Sequence, residues 1–151
     1  MPKVDVDKVP KRSGSDYPAP YAEPVSGRIR QALGHACGLT DFGVNLVYLP
    51  PGAWSSQRHW HSQEEEFVYV LAGELTLVTE AGEQLLRAGD GAAFPKNVPD
   101  GHHMINRGKE TAVYLDIGTR CDDDTCHYSD IDLHLEPGVD HYSHKDGTPY
   151  R

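Results

Sequence analysis

The chain has 151 residues and a formal net charge of −9, with 14 Lys and Arg set against 23 Asp and Glu. That length suits one domain with one core, and scattered basic residues argue against a nucleic-acid partner, whose phosphates are met by clustered Lys and Arg. No apolar run is long enough to span a membrane and the first residues carry no hydrophobic signal core, so a cytoplasmic protein without membrane contact is expected.

Residues 1–41 read as an irregular N-terminal arm containing Pro2, Pro10, Pro18, Pro20 and Pro24. Ser26 to Leu33 is expected to make a helical turn or two, kept short by Pro24 before it and Gly34 after it. Tyr17, Tyr21 and Leu33 offer apolar anchors with which the arm can lie across whatever follows. Cys37, beside Gly38 and Leu39, is expected to be a small buried apolar group.

From Phe42 the texture changes to short apolar or alternating runs broken by turn residues. Phe42 to Leu49 ends at Pro50-Pro51-Gly52, Ser56 to His61 ends in polar residues, and Glu66 to Ala72 ends at Gly73. Leu75 to Thr79, Gln84 to Ala88, Ala92 to Pro95, His102 to Asn106 and Ala112 to Ile117 continue the series. Roughly eight short strands at near-regular spacing is the pattern of an all-β sandwich or barrel. Residues 42–118 therefore form the expected barrel core, and residues 119–151 a C-terminal extension.

Strand alternation also sorts side chains by face. His59 and His61 share a face, which makes half of a metal site. If Glu66 points inward, so do Val68, Val70 and Ala72, leaving Phe67, Tyr69 and Leu71 outside. That apolar outer face calls for a cover, either the arm or a second copy of the chain, and a homodimer is expected. Arg58 is expected to face away from the histidines.

Two motifs carry the chemistry. The first is Gly52, six residues, His59-Trp60-His61, four residues, Glu66, six residues and Gly73. The second runs Gly89, five residues, Pro95, then Asn97, with three residues between His102 and Asn106. These motifs, in this order, resemble those of the cupins, double-stranded β-helix barrels of the jelly-roll type. The usual second motif has Gly where Asn97 stands, a mild exchange because Asn tolerates the left-handed conformation. The stretch before His102 is two residues longer than usual, so either His102 or His103 could face inward; the gap to Asn106 favours His102. The flanks Gly38-Leu39-Thr40-Asp41-Phe42-Gly43 and His144-Lys145-Asp146-Gly147-Thr148-Pro149-Tyr150 resemble a group of bacterial single-domain metal-binding cupins.

The resemblance implies one divalent transition metal, iron, manganese, nickel, cobalt or zinc, held by His59, His61, Glu66 and His102. It further implies an enzyme acting on a small polar or anionic metabolite by chelation, of isomerase, lyase, decarboxylase or dioxygenase type, without indicating which. A non-catalytic small-ligand sensor is the alternative. No phosphate cradle is visible in the sequence, which disfavours a phosphosugar. Cys121 and Cys126-His127, bracketing Asp122-Asp123-Asp124, are too few sulfur and imidazole groups for a structural zinc site, and His134, His141 and His144 read as surface histidines.

Overall fold

The computed structural model describes residues 2–150; positions 1 and 151, the outer ends of the expected arm and extension, lie outside the described residues. The described residues form twelve strands and one short α-helix, besides 3-10 turns at Val6–Lys8 and Glu23–Val25, in the order β1 (Lys11–Ser13), β2 (Ile29–Ala32), α1 (Leu33–Ala36), β3 (Phe42–Leu49), β4 (His59–His61), β5 (Glu66–Ala72), β6 (Glu74–Thr79), β7 (Gly82–Arg87), β8 (Gly91–Phe94), β9 (His103–Ile105), β10 (Ala112–Thr119), β11 (Cys126–Tyr128) and β12 (His134–Leu135). A six-stranded sheet has the order β1-β2-β3-β10-β5-β8, and two three-stranded sheets have the orders β12-β11-β4 and β7-β6-β9. The small sheets are stitched together where the backbones of His59 and His102 exchange both hydrogen bonds, at 3.2 and 2.9 Å. This is the jelly-roll barrel expected of the motifs. No helix among the described residues is long and apolar enough to cross a membrane.

Alternation builds the core. Val47 and Leu49 of β3, Val68 and Val70 of β5, Leu75 and Leu77 of β6, and Ala112 and Tyr114 of β10 all turn inward and are buried. Each fully buried aliphatic side chain contributes roughly 1.5–3 kcal/mol, so a handful of strands specifies the barrel. Asn106, wholly buried, clamps one end: its Nδ2 donates to the carbonyls of Leu49 (2.7 Å) and Glu110 (2.8 Å), and its Oδ1 accepts from Gly108 N (2.9 Å). Every polar atom of that amide is met, which is why Asn can stand in the core. Asn97 has a φ of 58°, the left-handed conformation for which Gly would otherwise be used. Gly73 has a φ of +76° and packs so closely on β10 that a Cβ would meet Ala112 Cα at 2.9 Å.

Four expectations need correction. Ile29–Ala32, read as helical, is strand β2, because Gln31 turns away from the cavity to donate to the carbonyls of Val6 (2.8 Å) and Val9 (2.9 Å), while Arg28 and Arg30 take the opposite face. Within the stretch read as helical, the helix is confined to its end, where Leu33 opens α1, Leu33–Ala36. Cys37 is exposed, since it caps that single turn at the surface. Ala72 is exposed rather than inward: the β5–β10 register shifts between Val113 and Tyr114, and the irregularity re-aims the end of β5.

Candidate metal centre

β4 carries two imidazoles because His59 and His61 share one face, and β11 holds that strand from the other side by pairing Tyr128 with His59 and Cys126 with His61. Glu66 opens β5 and His102 lies just before β9, so strand ends from several parts of the barrel converge. One ligand atom each from His59, Glu66 and His102 lie within 4.8 Å of one another. His61 stands beside them: its ring centroid is 4.9 Å from that of His59, and it forms a second close group with His59 and Cys126. His103 turns elsewhere, its Nδ1 donating to the Ser56 carbonyl at 2.9 Å and its ring meeting Trp54 edge-on. His102 is thus the imidazole beside Glu66.

Hydrogen bonds fix which nitrogen each histidine presents. His59 Nδ1 donates to the Gln57 carbonyl at 2.8 Å, and His61 Nδ1 donates to Asp124 Oδ2 at 2.6 Å, leaving both Nε2 atoms free. Asp124 is itself anchored, its Oδ1 accepting from the backbone N–H groups of Gln63 (2.9 Å) and Glu64 (3.1 Å). Burial, aided by the neighbouring His102 and His61, pushes the His59 pKa down to about 3, so the ring stays neutral with its lone pair available. Burial opposes ionisation of Glu66, but the hydrogen bond from His102 and the other nearby imidazoles outweigh it and hold the carboxyl below its usual range. His102 Nε2 meets Glu66 Oε1 at 3.2 Å, its ring lies flat on Phe94 with centroids 3.5 Å apart, and its Nδ1 is buried without a partner. Two imidazoles whose Nδ1 atoms are engaged elsewhere, and a third whose Nε2 faces an ionised carboxylate, make a nitrogen and oxygen donor set that fits a divalent cation.

The site opens into a cavity of about 240 Å³ whose lining includes His59, Glu66, His102, Arg12, Arg28, Arg30 and Asp116. A second cavity of about 500 Å³ shares Arg12, Arg30, Glu66 and Asp116 with it. Removal from water, and then the nearby charge of Glu66, hold the Asp116 carboxyl well above the usual carboxylate range. Arg58 faces away from the imidazoles, as alternation predicts, and grips Asp130 through Nε (2.8 Å) and Nη2 (2.7 Å). Cys126 is buried and its thiol is pushed up to about 12 by that burial, so it stands beside His61 as a neutral group.

Sequence reasoning missed Gln57, Asp116 and the three cavity arginines, and it weighed Asp124 only within an acidic triplet. Asp124 becomes visible once β11 is paired with β4, since that register brings the Asp124 loop against His61.

Residues 45–118 match the Cupin domain family model. A sugar phosphate isomerase from a cupin superfamily, from Silicibacter pomeroyi, is 43% identical over 99% of this chain and 97% of its own, with a TM-score of 0.93. A protein from Acidithiobacillus ferrooxidans, given provisionally the same isomerase description, is 34% identical over 83% of this chain and 81% of its own, with a TM-score of 0.73. A polyketide cyclase from Streptomyces resistomycificus, 19% identical over 79% of each chain with a TM-score of 0.62, shares the fold. A search of curated proteins finds no match. Motifs, barrel topology and full-length similarity agree: the chain belongs to the cupin superfamily.

Proposed function

We propose that the chain is a divalent-metal-dependent enzyme of isomerase type that acts on a small, anionic, hydroxylated metabolite. The observation that carries this reading is the placing of Asp116 in the same cavity as His59, Glu66 and His102. His59, His61, Glu66 and His102 are assigned as the ligands. A divalent ion held there would polarise a carbonyl and its neighbouring hydroxyl, making the adjacent carbon-bound proton easier to remove. Asp116 is assigned the proton: a carboxyl with raised proton affinity is better matched to taking a proton from carbon near neutral pH and returning it to the neighbouring carbon. Phe94 fixes the plane of His102, and Gln57 and Asp124 fix the tautomers of His59 and His61. The full-length similarity to a protein described as a sugar phosphate isomerase supports proton-shifting chemistry over oxygenation.

The test is deuterium incorporation. Protein reconstituted with manganese, zinc or iron, with metal content measured, is incubated in heavy water with anionic hydroxyaldehydes and hydroxyketones. Exchange beside the carbonyl is expected for at least one of them, and Asp116→Asn should slow it by about 100-fold or more while keeping the metal. No exchange with any compound, or full exchange in the variant, would overturn the assignment. As to assembly, Phe67, Tyr69 and Leu71 remain 43%, 40% and 46% exposed, uncovered by the arm. We assign this face to a second copy of the chain; a monodisperse monomer at micromolar concentration in light scattering would remove the dimer.

A further inference from the structure

Three guanidinium groups meet in the cavity that carries the imidazoles. Arg12 lies on β1 directly opposite Arg30 on β2, and Arg28, two residues before Arg30, lines the same space. Like charges set directly across a strand pair destabilise it, so this arrangement costs the fold something unless an anion is present. Of these three arginines, only Arg12 has an ion-pair partner among the described residues, Asp16. Arg28 donates to two carbonyls, Ser55 at 2.7 Å and Gly14 at 2.9 Å, while its Nε is buried without a partner. Burial, then Arg28 and Arg12, disfavour the charge on Arg30. Asp116 lines the same cavity, but among the described residues it makes no ion pair with any of the three. With Arg12 matched by Asp16, Arg28 and Arg30 are left without an ion-pair partner among the described residues, and their paired forks suit a group with several charged acceptor oxygens.

We infer that Arg12, Arg28 and Arg30 seat the phosphate group of a phosphate monoester, whose hydroxylated end reaches the His59, Glu66 and His102 cluster across the same cavity. This deepens the functional reading above and rests on it for where the substrate lies. It also amends the expectation that no phosphate cradle exists: the cradle is assembled from β1, the turn before β2 and β2, rather than from a contiguous loop. Guanidinium groups suit the purpose because their planar forks give paired, charge-assisted hydrogen bonds to phosphate oxygens.

The probe is inorganic phosphate, titrated calorimetrically into chelator-treated protein so that a bound metal cannot supply the affinity. Binding is expected, with acetate weaker than phosphate, and Arg30→Met should weaken phosphate about tenfold or more, the equivalent of one charge-assisted hydrogen bond. Without phosphate, Arg30→Met and Arg30→Gln should melt at higher temperature than wild type, because a crowded charge is gone; added phosphate should raise the melting temperature of wild type only. No phosphate binding by the chelator-treated wild type, equal affinity in the variants, or acetate binding as tightly as phosphate would each overturn the inference. Phosphate binding in a protein that takes up no metal would sink the enzyme reading alone and leave the phosphate seat standing.

Discussion

On one wall of the cavity His59, on β4, and His102, just before β9, are 9% and 4% exposed and are tied to each other by paired backbone hydrogen bonds. On the other, Arg12 projects from β1, whose three residues are all exposed, at the edge of the six-stranded sheet. The imidazoles are oriented by groups a few residues away in chain or ladder, Gln57 for His59 and Asp124 for His61. The guanidinium groups are instead crowded against one another with few partners. The first wall is preorganised by the barrel itself and stays in place without a ligand. The second stores repulsion that only a bound anion relieves, which is the usual trade of stability for binding at a functional site.

The contrast can be broken at its strongest point with His61→Ala. This variant should take up no metal, where wild type holds about one equivalent by elemental mass spectrometry, yet keep its response to phosphate. Loss of both would mean that the two walls are one unit. Asp124→Asn is gentler, since the Asn oxygen can still accept the Gln63 and Glu64 amides while its NH2 then faces His61 Nδ1, which can no longer donate there and is pushed toward the tautomer that protonates Nε2. Metal affinity should fall about 10–100-fold in chelator competition, the usual effect of removing a partner behind a ligand; unchanged affinity would show that Asp124 does not orient His61. The smallest effect concerns pH. The folded pKa of His59 lies at about 3 and that of His103 is also lowered, in both cases first by burial, while unfolded histidine titrates near 6.5. The unfolded chain therefore binds more protons as pH drops below about 6.5, and the stability these neutral rings contribute is present above that value and lost toward about 3. Asp116, raised, opposes this trend, so the clean measurement is thermal melting of chelator-treated Asp116→Asn. Its stability should fall by about 1.4 kcal/mol per pH unit for each proton linked; a flat profile would contradict burial of neutral His59.

How much of this was legible in the sequence depended on distance along the chain. β3, β5 and most barrel strands were readable because their alternation is local and their ends carry Gly, Pro or Asn. The candidate ligands were readable because His59, His61 and Glu66 sit within one hairpin's length and His102 is fixed by its spacing to Asn106. β2 was misread, since Gln31 in an apolar layer makes sense only once the carbonyls of Val6 and Val9 are seen to meet it. Ala72 was misplaced because an irregular register leaves no trace in alternation. The arginines could not be recognised as a set: Arg12 and Arg30 become neighbours through β1–β2 pairing, and they face the histidines only because β2 joins β3 across the barrel.

Tyr17 rests against Tyr128 and Tyr142, with ring centroids 5.8 and 5.5 Å away, and Tyr21 meets Tyr150 at 6.2 Å. Tyr17 and Tyr142 also line the cavity. Residues before β2 and residues after β10 thus share one aromatic seam, so all the strands from β2 to β10 can leave a ribosome before the seam has both of its halves. Contacts this far apart in sequence close last because their loop entropy must be met first. Maturation of the pocket, as distinct from folding of the barrel, therefore waits on the arrival of Tyr142.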